Sequence, residues 1–253
     1  MITVKHEYIN GIPLLEVVLT EKMNETLPTV VFYHGWTNFK ESSLVHGYEI
    51  AKKGFRVLIP EAYLHGERSK GAPVNERSLE FWDVVQHNIV EFPSLIEQYV
   101  KAGLTDQSRV GVAGLSMGGV TTSAILTQYS WVKTAVVLMG SPSPIPFSKW
   151  LLTSKWQQGV EIDFEAEQFA PAIESLKTIS LNLQPEKIDG KFVHFWHDKD
   201  DDLVPYQPTF DFYKKIKDRD YGKHVSFTTT EGYGHHVPYL ISVETAEYFN
   251  NHL

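Results

Sequence analysis

Short runs of β-branched and aromatic residues alternate with longer stretches of helical periodicity along most of the chain. This alternation is typical of βα units that build a mostly parallel sheet. Several of the short runs are continuously apolar, as in Val30-Val31-Phe32, which favours strands that helices cover on both faces. Eight strands are predicted in this way, at about 2–9, 12–20, 29–34, 55–60, 109–115, 133–139, 192–196 and 225–230.

Helical patterns and turn signals lie between these runs. The dipeptide Asn10-Gly11 predicts a two-residue hairpin turn, so the first two strands should pair antiparallel. Gly54 and Gly103 each follow a helical pattern at the position where a helix C-cap commonly needs left-handed backbone. Pro93 lies inside the second pattern and is expected to kink or split that helix. The predicted helices are at about 40–53, 77–102, 117–129, 205–219 and 238–252.

The stretch between the sixth and seventh predicted strands is much longer than a single crossover helix requires. We predict a small helical insertion here, at about 142–187, within a single domain that spans residues 1–253. We expect some of its aromatic side chains to form a lid over a cleft at the edge of the sheet. The alternative is a longer crossover whose aromatic side chains face the core. The aromatic residues in question are Phe147, Trp150, Trp156, Phe164 and Phe169.

Composition excludes several classes of protein. Of the 253 residues, 42% are hydrophobic and 21% are charged, as in ordinary globular proteins. A formal net charge of −8 argues against nucleic-acid binding, because there is no basic excess to displace counterions. The absence of cysteine excludes disulfides, thiolate metal sites and cysteine nucleophiles. No apolar stretch reaches the roughly 20 residues of a membrane helix, and no signal-peptide pattern is present, so we expect a cytoplasmic protein without membrane contact.

The sequence Gly114-Leu115-Ser116-Met117-Gly118-Gly119 lies between a predicted strand and a predicted helix. A G-x-S-x-G pattern alone is weak, but the order strand, sharp turn, helix is what a nucleophile elbow requires. The flanking glycines leave room for the turn, and the helix N-terminus favours developing negative charge near the serine. Ser116 is therefore the candidate nucleophile, and a glycine-rich turn with a passive serine is the alternative.

A serine nucleophile needs a general base and a carboxylate that orients the base. His235 follows Gly234 in the loop between the last predicted strand and the last predicted helix, and we predict it as the base in preference to His236. A metal site at this histidine pair is disfavoured, because adjacent side chains diverge and no second cluster of ligands is evident. The acid should lie in the loop after the preceding strand. Four residues there are candidates, with Asp201 first and Asp202 second: Asp198, Asp200, Asp201 and Asp202.

Taken together, the elbow, the strand that ends in His34-Gly35, the acidic loop and the Gly234-His235 loop resemble the α/β-hydrolase superfamily over nearly the whole chain. In detail the chain resembles small bacterial esterases of the YitV type, near the dienelactone hydrolases and the prolyl-oligopeptidase catalytic domain. Those proteins carry a pattern like H-G-x-x-D-x-x-V-P, which corresponds here to residues 197–205, with Asp198 in place of the glycine. This resemblance places the acid on Asp201.

The resemblance implies an α/β-hydrolase fold, with an eight-stranded, mostly parallel sheet, helices on both faces and a small helical insertion. It also implies an oxyanion hole made by the backbone amides of Trp36 and Met117. The expected activity is hydrolysis of small-molecule carboxylic esters by the triad Ser116, Asp201 and His235, through an acyl-enzyme and without cofactor or metal.

Two alternatives to this function stay open. One is a peptidase of the prolyl-oligopeptidase kind, which we expect less because no N-terminal propeller sequence precedes the hydrolase pattern. The other is a binding protein that keeps the fold without turnover, which is disfavoured because all three triad positions hold competent residues. No nucleic-acid or membrane partner is expected, and a homodimer stays open.

Overall fold

A computed structural model describes residues 1–69, 71, 78–153 and 170–253, and these residues form an eight-stranded sheet. The eight predicted strands are confirmed, with shifts of a few residues at their ends. The strands are β1 (Ile2–Ile9), β2 (Ile12–Leu19), β3 (Leu27–Tyr33), β4 (Arg56–Pro60), β5 (Thr105–Leu115), β6 (Thr134–Leu138), β7 (Phe192–Asp198) and β8 (Val225–Thr230). Their order across the sheet is β1-β2-β4-β3-β5-β6-β7-β8.

One strand gives the sheet its antiparallel part. Strand β2 runs antiparallel to both β1 and β4, whereas the other neighbouring strands pair in parallel. The β1–β2 hairpin closes at Asn10 and Gly11, with φ angles of 51° and 80°, and Ile9 pairs with Ile12. Both central residues have the positive φ that a type I′ turn needs, so the predicted hairpin is confirmed.

All five predicted helices are present, and two more lie in the predicted insertion. Gly54 and Gly103 have φ angles of 94° and 72°, which confirms the left-handed C-caps. None of the helices in the described part of the chain is both long and apolar enough to cross a membrane. The helices are α1 (Leu44–Lys52), α2 (Phe81–Lys101), α3 (Met117–Gln128), α4 (Pro144–Thr153), α5 (Ala170–Thr178), α6 (Tyr206–Ile216) and α7 (Tyr239–His252).

Pro93 does not split its helix, and that part of the prediction is wrong. Helix α2 continues through Pro93 as one helix of 21 residues. A proline has no N–H, so the carbonyl of Ile89 one turn earlier loses its helical donor. The hydroxyl of Tyr129 donates to this carbonyl at 2.9 Å, and the buried oxygen keeps a partner.

Helices cover both faces of the sheet. Along β3, Val30 and Phe32 point into one core, whereas Val31 and Tyr33 point into the other. The first core is completed by residues of α1 and α7, and the second by residues of α2 to α6. The continuously apolar strands follow from this arrangement, because alternate side chains are buried on opposite faces.

The described part of the insertion packs onto the second core. Phe147 and Leu151 of α4 and Leu176 of α5 are buried there, and the Phe147 ring lies 5.8 Å from that of Phe81. Trp150 is 37% exposed. The other three aromatic residues of the prediction, Trp156, Phe164 and Phe169, lie outside the described residues. Phe147 thus contributes to the core, as the alternative interpretation expected.

A buried ion pair connects the antiparallel and parallel parts of the sheet. Arg56 of β4 is fully buried, and its Nε donates to the Glu16 carboxylate of β2 at 2.6 Å. The rest of the guanidinium donates to the backbone carbonyls of Met23, Glu25 and Leu104, which precede β3 and β5. The arginine therefore satisfies three carbonyls as well as one carboxylate.

We expect Arg56→Met to lower the free energy of unfolding by about 3 kcal/mol, because the buried Glu16 carboxylate would lose its hydrogen-bonded partner and keep only the more distant Lys5, at 3.9 Å. The matched control is Arg109→Met. Arg109 pairs with Asp106 at 2.7 Å but is 47% exposed at its side chain, so its loss should cost less than about 1 kcal/mol. Urea unfolding of both variants measures the difference, and similar small losses in the two would contradict the structural role of Arg56.

Candidate active site

Ser116 lies at the turn between β5 and α3. Its φ and ψ of 54° and −116° are unusual for a residue with a side chain. Such a conformation costs on the order of 1–3 kcal/mol and persists only when the surroundings enforce it. Its N–H donates to the Leu138 carbonyl and its own carbonyl accepts from Val120, both at 2.9 Å. These bonds to β6 and α3 hold the turn.

The glycines around Ser116 are required by close backbone contacts. A Cβ atom on Gly118 would lie 2.1 Å from the Tyr33 carbonyl oxygen of β3. On Gly114 it would lie 2.4 Å from the Gly118 backbone, and on Gly119 it would lie 2.8 Å from the Leu138 carbonyl oxygen. Since real Cβ atoms do not approach so closely, the turn fits between β3 and β6 only with glycine at these positions.

Three predicted site residues form a continuous chain of hydrogen bonds. The Oγ of Ser116 lies 2.9 Å from Nε2 of His235, and Nδ1 of His235 lies 2.9 and 2.8 Å from the two carboxylate oxygens of Asp201. An ionised carboxylate only accepts, so Nδ1 carries the proton and Nε2 has its lone pair towards the serine hydroxyl. A serine hydroxyl paired in this way can be activated as a nucleophile.

The other candidates in the two loops lie elsewhere. His236 is exposed, as is Asp202. Asp200 accepts a hydrogen bond from the Gly232 amide at 2.8 Å. Among the four aspartates of the acidic loop, Asp201 is the one whose carboxylate contacts His235.

Asp201 forms hydrogen bonds with other groups in addition to His235. Its Oδ1 accepts from the amides of Leu203 and Val204, both at 2.9 Å, and its Oδ2 lies 3.1 Å from Nε2 of His197. Burial by itself would raise the pKa of Asp201, but the hydrogen bonds from His197 and His235 hold that pKa well below its usual range. The carboxylate is therefore ionised at neutral pH.

His197 was not singled out by sequence reasoning. It is fully buried at the end of β7, and its Nε2 lies 2.9 Å from the Val204 carbonyl as well as 3.1 Å from Asp201. Both neighbours are acceptors, so Nε2 must carry a proton and donate to them. The position of His197 at the start of the H-x-x-x-D pattern is the sequence signal that could have drawn attention to it.

Asp198 was one of the four candidates for the acid, and its departure from the family pattern was visible, but its contacts were not predicted. It is fully buried, and its carboxylate accepts four hydrogen bonds. Two come from amides of the loop that carries His235, namely Tyr233 at 3.2 Å and Gly234 at 3.0 Å. The other donors are the Asp200 amide at 3.0 Å and the Thr230 hydroxyl at 2.8 Å. The carboxylate thus ties the loop of the acid to the loop of the base.

The two predicted oxyanion amides have no hydrogen-bond partner among the described residues. In the part of the chain that the structure describes, the N–H groups of Trp36 and Met117 donate no hydrogen bond. The Gly35 carbonyl accepts from Nδ1 of His34 at 2.9 Å and from the Asn38 amide at 3.2 Å. In a trans peptide the C=O and the following N–H point in opposite directions, so the Trp36 N–H is turned away from His34.

The backbone amide of Ala62, just after β4, determines the tautomer of His34. The Ala62 amide donates to Nε2 of His34 at 3.1 Å, so Nε2 is the acceptor and Nδ1 carries the proton given to Gly35. His34 is almost completely buried, at 1% exposure. This pair of bonds keeps the Gly35–Trp36 peptide in one orientation.

A cleft of about 360 Å³ opens beside Ser116. None of the described lining residues belongs to the insertion, so the lid remains a prediction. No group of three or more potential metal ligands occurs among the described residues. The lining residues are Gly35, Trp36, Thr37, Asn38, Ser42, Val45, His46, Leu115, Ser116, Met139, Leu203, His235, His236 and Val237.

We expect Asp198→Asn to slow the modification of Ser116 by a fluorophosphonate, by about tenfold to a hundredfold. The Tyr233 and Gly234 amides donate to different oxygens of Asp198, so the NH2 group of the asparagine would face one of these two amides, and a displaced His235 would activate the serine less well. Asp200→Asn is the matched control and should change the rate less than about tenfold. Circular dichroism checks that both variants fold, and equal rates in a folded Asp198→Asn would exclude this positioning role.

The chain is similar to known proteins over most or all of its length. Residues 83–248 match the model of the prolyl oligopeptidase family. The chain is 39% identical over its whole length, and over all of the other chain, to the Bacillus subtilis (strain 168) protein named "Putative esterase YitV". It is 25% identical, again over both whole chains, to "Esterase YjfP" of Escherichia coli (strain K12).

Among solved structures, TT1662 from Thermus thermophilus matches with a TM-score of 0.78, covering 99% of this chain and 98% of the other. At 19% identity this likeness shows a common fold. The family match covers more than half of the chain, and the similarity to YitV covers all of it. The chain therefore belongs to the prolyl oligopeptidase family, within the α/β-hydrolase superfamily.

Proposed function

We propose that this protein is a serine hydrolase that cleaves carboxylic esters of small molecules through an acyl-enzyme. The observation that carries the proposal is the hydrogen-bond chain from Ser116 Oγ through His235 to the buried Asp201 carboxylate. These three residues lie beside a cleft and beside two backbone amides that have no hydrogen-bond partner in the described structure. Nucleophile, base, orienting acid and oxyanion donors are the parts that acyl transfer needs.

In the first half-reaction, the Ser116 oxygen attacks the ester carbonyl carbon while His235 Nε2 takes the hydroxyl proton. Asp201 keeps the proton on Nδ1 and stabilises the imidazolium that forms. The amides of Trp36 and Met117 donate to the tetrahedral oxyanion, and each such donor typically contributes about 2.7–4 kcal/mol in the transition state. Collapse of the tetrahedral intermediate breaks the bond to the alcohol oxygen, which takes the proton from His235.

In the second half-reaction, water replaces the alcohol. His235 takes a proton from the water as it attacks the acyl carbon, and the same amides stabilise the second oxyanion. His235 then returns its proton to the Ser116 oxygen as the carboxylic acid leaves. The net reaction consumes one ester and one water, and the enzyme returns to its starting state.

Two observations favour small esters as substrates. The cleft of about 360 Å³ lies near the lower end of the roughly 300–1,000 Å³ of small-molecule sites. The two relatives that match over both whole chains carry esterase names. A peptidase is the second candidate, because the matching family model is that of the prolyl oligopeptidases. Both reactions use the same triad and differ in the leaving group.

We expect Ser116→Ala to lose labelling by a fluorophosphonate and to lose turnover, by a factor on the order of 10⁶ in kcat. A panel of p-nitrophenyl esters and aminoacyl p-nitroanilides identifies the leaving group, and the wild type should cleave the esters. Labelling that persists in Ser116→Ala would refute the nucleophile. A preference for the anilides would establish the peptidase, and a stoichiometric complex without turnover would mean a binding protein.

We expect Asp201→Asn to reduce kcat on the order of 10⁴-fold, because the asparagine amide favours the wrong tautomer of His235. Asp202→Asn is the control, one residue away and exposed, and should keep kcat within about tenfold of wild type. For the base, His235→Gln is compared with His236→Gln. Steady-state kinetics on a p-nitrophenyl ester measure all four, and an inactive Asp202→Asn or His236→Gln beside an active partner would overturn the assignment.

A further inference from the structure

The cleft beside Ser116 contains a second buried imidazole that the proposed mechanism does not use. His46 of α1 is 3% exposed and lines the cleft together with Ser116 and His235. It has no place in the hydrogen-bond chain of the triad, and its neighbours in the sequence, Ser42 and Val45, line the same wall. Its function therefore depends on the atoms that it exposes to the cleft.

Neither ring nitrogen of His46 forms a hydrogen bond within the described part of the chain. Nδ1 is completely enclosed and has no partner. His46 lines the cleft and its Nδ1 is enclosed, so we infer that Nε2 is the ring nitrogen within reach of a ligand there. A buried N–H without an acceptor is rarer than an unpaired acceptor, so the proton belongs on Nε2 and the lone pair on the enclosed Nδ1.

The ring is held in place by its surroundings. It stacks on Phe32 of β3 with a centroid distance of 4.6 Å and an interplanar angle of 13°. The next residue, Gly47, lies so close to the sheet that a Cβ atom would be 2.7 Å from Ile59. Burial lowers the pKa of His46 to about 4, so the imidazole is neutral at pH 7. It is a rigid, uncharged donor.

The cleft has both polar and apolar lining residues. The polar residues Thr37, Asn38 and Ser42 belong to the chain segment that leads into α1, the helix that carries His46. The apolar lining comes from Leu115, Met139, Leu203 and Val237. A hydrocarbon group against His46 would leave its N–H without an acceptor, and an unmade buried hydrogen bond is unfavourable.

We propose that His46 is a substrate-binding residue whose Nε2–H donates a hydrogen bond to an oxygen atom in the acyl or the alcohol group of the ester. The enzyme then prefers esters with an ether, hydroxyl or carbonyl oxygen near the scissile bond over esters of the same size built only from hydrocarbon. This inference rests on the proposed esterase function and specifies its substrate class.

The test compares isosteric esters in which one CH₂ is replaced by oxygen. For the acyl side the pair is p-nitrophenyl methoxyacetate and p-nitrophenyl butyrate, and for the alcohol side it is 2-methoxyethyl butyrate and butyl butyrate. In each pair the ratio of kcat/KM is divided by the ratio of the hydroxide-catalysed rates, which removes intrinsic reactivity. The wild type should favour the oxygenated member of one pair by roughly five- to tenfold, the effect of one hydrogen bond.

The decisive variant is His46→Phe, which keeps a ring on Phe32 and removes both nitrogens. It should lose the preference for oxygen while its kcat/KM on the hydrocarbon ester is unchanged or higher. His46→Gln retains an N–H donor and should recover part of the preference. His87→Phe is the control, because His87 is 46% exposed at its side chain and lies outside the cleft lining, and its selectivity should equal that of wild type.

The proposal is overturned if wild type shows no preference in either pair, and this measurement does not depend on the folding of any variant. It is also overturned if folded His46→Phe keeps the wild-type preference. Failure of the esterase proposal is recognised separately, because wild type would then not turn over any of the four esters, or Ser116→Ala would hydrolyse them as fast as wild type. Which pair responds shows whether the oxygen lies in the acyl or the alcohol group.

Discussion

The approach of α3 to the backbone of β3 is the contact on which the rest of the site depends. Helix α3 begins directly after Ser116 and passes so close to β3 that Gly118 has no room for a side chain beside the Tyr33 carbonyl. This contact forces the chain through a positive φ at Ser116. The strained serine therefore stands at the carboxyl edge of the sheet, where the loops after β3, β7 and β8 converge. The loop after β8 brings the imidazole to the serine, the loop after β7 brings the carboxylate to the imidazole, and the loop after β3 carries the amide proposed for the oxyanion.

Two neighbouring carboxylates share the task of placing the imidazole. Asp201 contacts the ring of His235, whereas Asp198 contacts the backbone of the loop just before it. A side-chain contact orients a ring, but the ring is well placed only if its backbone is also fixed. Both carboxylates are buried and receive backbone N–H groups, and in both cases these bonds help to lower the pKa despite burial. Both carboxylates are therefore ionised next to the loop that carries His235.

Three buried histidines outside the triad illustrate how hydrogen-bond partners determine a role. His197 donates to acceptors around Asp201, and His34 links the Ala62 amide to the Gly35 carbonyl. Both are satisfied within the protein and stabilise groups of the site. His46 differs because it has no partner among the described residues, although it lies in the cleft. This difference is the reason to assign it to the substrate.

The sequence by itself determined the strands, the hairpin, the helix ends and the elbow, because each depends on side chains and backbone preferences close together in the chain. The alternation of buried positions follows from the pleat of a strand, and Asn10, Gly54 and Gly103 follow from local backbone geometry. The order of the loops along the chain also predicted that His235 is the base for Ser116. These features could be predicted without knowing which segments pack together.

Only the tertiary structure decided what depends on partners from distant segments. Pro93 does not break α2, because the Tyr129 hydroxyl satisfies the carbonyl that proline leaves unpaired. The acidic loop offered four aspartates of the same chemistry, and only packing against the β8 loop shows that Asp201 contacts His235 while Asp198 binds the preceding backbone. The roles of His34, His46 and His197 were hidden for the same reason. A hydrogen bond is specified by distances of a few tenths of an ångström between groups that sequence spacing does not bring together.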